Sequence, residues 1–128
     1  MKNSLFLYYT FILILITSCN KTNEIIYADI KYQKEIDFGI INLKDTVTKS
    51  FKIKNISSIP LVIKNVKTSC GCTLVKLNDT VIGENESTNI TAKYIPNHND
   101  KGKISKSIVV QANTKTGFTV LYLKGIVK

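Results

Sequence analysis

From Ile25 onward apolar residues recur at every second position, and no stretch shows the 3.6-residue repeat of an amphipathic helix. The clearest run is 46–55 (TVTKSFKIKN). Val47, Phe51 and Ile53 share one face there, while Thr46, Thr48, Ser50, Lys52 and Lys54 share the other. Successive side chains of a strand point to opposite faces, so this pattern predicts a half-buried strand. Ile36 and Phe38 mark an earlier strand that is expected to end at Gly39. The turn 55–60 (NISSIP) is rich in residues that hydrogen-bond their own backbone and closes on a proline. Leu61 and Ile63 then resume an inward face, and Val66 breaks its parity, which predicts a bulge or bend. Leu74, Val75 and Leu77 predict a short strand, and Val81 with Ile82 a brief apolar touch-down. Ile90, Ala92 and Tyr94 alternate with Thr91 and Lys93. After the polar loop 96–102 (PNHNDKG), Ile104, Ile108 and Val110 restore the alternation, with Lys106 as a defect in it. The last run, 118–127, is apolar on both parities and therefore predicts a central strand. About seven short strands, with turns about every ten residues, predict an all-β sandwich.

The first twenty residues follow a different logic. A positive start at Lys2 precedes the apolar run 5–16 (LFLYYTFILILI), too short to span hydrocarbon comfortably but suited to a secretory signal. Ile16-Thr17-Ser18-Cys19 resembles a bacterial lipobox, a branched apolar residue and two small ones before cysteine. The resemblance implies cleavage before Cys19 and acylation of its thiol. The expected division is a signal peptide over 1–18, a lipidated tether over 19–26 and one sandwich domain over 27–128. Asn20 stands where an aspartate would have suggested inner-membrane retention. The expected location is therefore the bacterial cell envelope, lipid-anchored, at the outer membrane rather than the inner.

Charge excludes one large class of partner. All 18 basic residues are lysine, and loss of 1–18 removes only Lys2, leaving 17 against 9 acids, or +8. Arginine is the side chain that forks onto phosphates and base edges, so its absence argues against a nucleic-acid reader. The lysines fall mostly on the polar faces of strands, where they solvate the surface.

The dense chemistry is confined to 67–73 (KTSCGCT). If Cys19 is consumed by lipid, Cys70 and Cys72 remain as an even pair in a compartment that permits disulfides. No carboxylate pair, phosphate-cradling glycine loop or Ser/His/Asp constellation accompanies them. No catalysis, cofactor or small-molecule substrate is expected. His98, the single histidine, is expected exposed in its loop.

Taken together these residues resemble the bacterial family called domain of unknown function 1573, whose members look like Ig-type sandwiches related to the ASH/MSP (Hydin-like) modules. The resemblance is carried by Asp37-Phe38-Gly39, Phe51-Lys52-Ile53-Lys54-Asn55, Pro60-Leu61-Val62-Ile63 and Ser69-Cys70-Gly71-Cys72-Thr73, then Gly102, Asn113 and Gly125. It covers nearly all of 35–128 and implies an Ig-like β-sandwich without implying an activity. Where such sequences usually carry Pro-Pro-Gly-Glu this chain has Gly83-Glu84-Asn85-Glu86. Asn85 can stand in for glycine at positive φ.

For the thiol pair three readings stand side by side. The sulfurs plug the rim of the sandwich as small apolar groups, reduced or bridged. They bind a soft ion such as Cu(I). Or they take part in thiol–disulfide exchange, with Lys67 and Lys76 supplying some positive field. In an extended strand Cβ atoms two residues apart lie roughly 6–7 Å from each other. A disulfide needs about 3.8 Å. A bridge therefore requires the chain to turn at Gly71. The expected function is a membrane-tethered binding or structural module that contacts an envelope protein or glycan, with copper handling or thiol exchange through Cys70 and Cys72 as the alternative. Asp45-Thr46-Val47 and Asp79-Thr80-Val81 resemble bacterial O-glycosylation acceptors, which makes Thr46 and Thr80 candidate sugar sites.

Overall fold

The computed structural model describes residues 24–128 together with Asn3 and Ser4. Cys19 and the rest of the expected leader lie outside the described residues. Nine strands follow in chain order: β1 (Ile30–Tyr32), β2 (Glu35–Ile41), β3 (Val47–Asn55), β4 (Leu61–Thr68), β5 (Thr73–Leu77), β6 (Val81–Ile82), β7 (Ser87–Tyr94), β8 (Gly102–Ala112) and β9 (Phe118–Val127). They form two sheets, one in the order β1-β3-β7-β5 and the other β2-β9-β8-β4-β6. Neighbours within the sheets are antiparallel except β2 and β9, which run parallel. No helix lies within 24–128.

The inward faces are the ones the alternation marked. Val47 and Phe51 of β3 lie opposite Tyr94 and Ile90 of β7, Ile53 and Ala92 share the same face, and all six are buried. Leu61, Ile63, Ile108, Val110, Leu121 and Leu123 supply the opposing layer. β9 lies between β2 and β8, which explains why it is apolar on both parities. The parity break in β4 is a register shift between Ile63 and Asn65 against β8.

Two features differ from expectation. The count is nine rather than about seven, because β1 and β6 are only 3 and 2 residues long, too short for alternation to register. β2 also does not end at Gly39. That glycine takes φ +79°, the strand slips register against β9 between Asp37 and Ile40, and pairing resumes to Ile41. A glycine at positive φ here makes a bulge rather than a stop. Asn85 carries the turn before β7 at φ +59°, as its ability to replace glycine requires.

The strands give the sandwich two poles. Ala28, Asn55, Leu61 and Asn113 gather at one of them. There the Ala28 amide donates to Asn113 O at 3.0 Å, and the Asn113 side chain bonds Val62 N at 2.8 Å and Pro60 O at 3.0 Å. Buried Asn55 donates to Ile59 O at 2.8 Å and Ile82 O at 3.0 Å, and accepts from the amide and hydroxyl of Ser57. The cysteines lie at the other pole, where β4 ends and β5 begins.

Candidate functional site, the disulfide corner

The segment 69–72 carries the chain from β4 in one sheet to β5 in the other. Within it Cys70 and Cys72 are joined by a disulfide, with Cα atoms 5.4 Å apart. The turn that brings them together is held from both sides. The Thr68 hydroxyl and the Thr73 amide both donate to Cys70 O, at 3.0 and 3.4 Å. Ile95 N donates to Cys72 O at 2.9 Å. Ser69 N donates to Ser107 O at 3.0 Å, and Ser107 N returns a bond to Ser69 Oγ at 3.1 Å. Thr73 is buried, with its hydroxyl 3.9 Å from Cys70 Sγ. A bridged sulfur has no proton to give, so Thr73 is the donor in that contact. Cys72 packs against the hydrophobic core, while Gly71 is exposed.

Gly71 is not needed in the way the spacing suggested. Its φ is not positive, and a Cβ there would meet open space. The turn closes through its hydrogen bonds, in a conformation open to any L-residue.

At the same pole, where Tyr94 pairs with Thr73, lies a polar group that sequence reasoning passed over. Asp100 is buried, and Lys106 Nζ bonds its Oδ1 at 3.0 Å with both side chains largely shielded from solvent. Lys106 Nζ also sits 5.5 Å from the centroid of the Tyr94 ring, and Phe38 stacks on that ring from 5.6 Å. The Tyr94 hydroxyl is buried without a hydrogen-bond partner of good geometry. Burial first, then the nearby Asp100 carboxylate, raise its pKa above the ordinary tyrosine value. For Asp100, burial alone would push the pKa up. The hydrogen bond from the Asn97 backbone and the bond to Lys106 outweigh it, and the net direction is down. The signal was present in the sequence: Lys106 interrupts an inward-facing row, and an inward lysine must find a partner.

The remaining candidates are dispersed. His98 is exposed in the loop between β7 and β8 and makes no hydrogen bond to either cysteine. Lys67 and Lys76 are exposed on their strands. Among the described residues no group of three His, Cys, Asp or Glu side chains is placed to hold a metal ion, and both sulfurs of the pair are tied to each other. Thr46 and Thr80 are exposed, immediately ahead of β3 and β6. The corner as built can therefore hold two sheets together and present its outer surface. It has no free thiolate, acid–base pair or anion cradle.

Two packed sheets with this strand order define an Ig-type, PapD-like sandwich. The same architecture appears in the ASH / PapD-like domain 7 of human CEP192, at 9% identity and TM-score 0.61 over 80% of this chain and 85% of that one. A protein of unknown function from Porphyromonas gingivalis W83 matches with TM-score 0.70 and 17% identity over 77% of this chain. This chain covers 46% of that protein's length. The YadV chaperone matches at TM-score 0.54 and 11% identity, over 80% of this chain and 53% of that one. No curated protein sequence matches. The family described as protein of unknown function (DUF1573) matches residues 30–127, and the chain belongs to that family.

Proposed function

We propose that this chain is an envelope lipoprotein, tethered by acylated Cys19, whose Ig-like domain serves as a binding or structural module and carries out no catalysis. The observation that supports a binding role is the position of β5. It is the terminal strand of its sheet, it leaves directly from the disulfide-bridged turn, and its Leu74 is 57% exposed. A terminal strand offers unpaired backbone groups to which an extended segment of an envelope protein adds as a further strand. The bridge fixes where that edge begins. Exposed Thr46 and Thr80 leave room for sugars.

The second reading, copper handling or thiol exchange, draws support from the exposed apex at Gly71, which leaves the bridge open to an attacking thiolate. Thiol and Cu(I) titration of the full chain separates the two. For the binding module, neither Cys70 nor Cys72 titrates under native conditions, no Cu(I) is retained, and Cys70→Ser with Cys72→Ser changes only stability. Retention of Cu(I), or exchange with a small disulfide at a rate set by Cys70 or Cys72, would establish the alternative. For the anchor, Cys19→Ala yields an unprocessed or released chain. Unchanged membrane fractionation refutes acylation.

A further inference from the structure

We infer that the pole bearing Ala28 and the β8–β9 hairpin rests on the lipid surface and that the disulfide corner points away from it. This orientation rests on the acylated-anchor reading and extends it. Ile25 and Ile26 are 73% and 69% exposed, and Tyr27 beside them is exposed as well. The chain then joins the sandwich at the hairpin, through the Ala28–Asn113 bond and a parallel bridge between Ala28 and Thr114. Phe118, 58% exposed, emerges from the same hairpin next to Gly117. Ile56 is exposed at this pole too, and its amide donates to Asp29 O at 3.0 Å. Apolar and aromatic side chains at the tips of turns are what the boundary between headgroups and acyl chains accepts.

The occupant follows from where the chain comes from. Ile25 lies six positions beyond Cys19, a reach of roughly 20 Å even when fully extended. A lipid on Cys19 therefore holds this pole nearest the bilayer. From Asn113 to Ser107, which bonds Ser69 beside the disulfide, β8 advances six residues, roughly 20 Å in the opposite direction. Exposed charge at this pole leans acidic, with Lys31 and Lys115 against Glu24, Asp29, Glu84 and Glu86. The contact is thus apolar insertion, to which attraction for acidic headgroups adds little.

Photocrosslinking in the intact membrane tests this. The full chain is produced in a bacterial host with p-benzoylphenylalanine at position 118 or, separately, at position 74 beside the disulfide corner. It is irradiated in isolated membranes, and the N-terminal peptide is weighed by mass spectrometry. The expected result is an acylated Cys19 with lipid adducts several-fold more abundant at 118 than at 74. The pair of positions 56 and 95 repeats the comparison independently, so that disturbance of one strand does not decide it. Acylation with equal adducts at both poles, or with none at either, overturns the orientation and leaves the anchor standing. A chain whose Cys19 carries no lipid overturns both.

Discussion

At the scale of single residues, the tightest constraint is Gly125. A methyl group there would overlap the Phe38 ring, which itself stacks on Tyr94. Gly125→Ala is therefore expected to destabilise the domain by about 1–3 kcal/mol, the usual cost of overpacking. In a Phe38→Leu background the same change should cost less, and a double-mutant cycle by urea unfolding measures the difference. Gly71→Ala, by contrast, should fall within about 0.5 kcal/mol of the parent, because neither φ nor space opposes a side chain. The Asp100–Lys106 pair gives a pH-dependent outcome. The folded-state pKa of Asp100 lies below its unfolded value of 3.8, so the pair's contribution is fully present well above that value, from about pH 5, and is lost as pH falls through the folded pKa. Lys106→Met leaves the Asp100 carboxylate buried without its cation and raises its pKa. The penalty, about 3–5 kcal/mol if the site behaves as buried pairs do, is largest near neutral pH and shrinks on acidification. Urea titrations of parent and variant at pH 7 and pH 3.5 read the shift, and a penalty independent of pH would show that Asp100 does not sense Lys106.

At the scale of elements, magnitude decides what the disulfide is for. A cross-link closing a loop of three residues restricts the unfolded chain little, contributing about 1.6 kcal/mol by the chain-entropy relation. Truncating a fully buried aromatic such as Phe51 to alanine costs about 3–5 kcal/mol. Replacing both cysteines by serine should accordingly lower stability by roughly 1–2 kcal/mol without unfolding the domain, with the midpoint of thermal unfolding as the measure. The bridge thus shapes one corner while the core holds the sandwich. How far such elements are legible in sequence depends on length. β3, β7 and β8 alternate over 9, 8 and 11 residues, and their buried faces follow directly from that spacing. β1 and β6 owe their existence to neighbours, Ile30–Tyr32 to the edge of β3 and Val81–Ile82 to the start of β4; no local pattern announces β1, and β6 shows only as an apolar touch-down. The cysteine pair was visible at once. The Asp100–Lys106 pair at the same pole was not, because it forms only when the loop after β7 brings Asp100 to β8. Lys106 as a lone inward charge was the one trace it left. Asn55 is a parallel case. It reads as an ordinary turn residue, yet it is buried and joins the carbonyls of Ile59 and Ile82.

For the molecule as a whole, what matters is how far apart in sequence the joined strands lie. β2 pairs with β9 from Glu35–Tyr122 to Ile41–Val127, so the second sheet closes only when nearly the full length of the domain has been gathered. β3 meets β7, and β4 meets β8, across shorter separations that are still non-local. Each such pairing costs loop-closure entropy before its contacts return anything. Domains dominated by non-local strand pairing therefore fold in milliseconds to seconds, far more slowly than helical bundles of the same size. Stopped-flow refolding from urea should show a main phase in that range. The Phe38→Leu variant, which loosens the β2–β9 closure at its Gly125 contact, should speed unfolding with little change in the folding rate, because a strand that closes the sheet last contributes little to the transition state. A folding rate that drops in proportion to the lost stability would instead place β2 in the nucleus, and the parallel pair would then be the element that starts the sandwich.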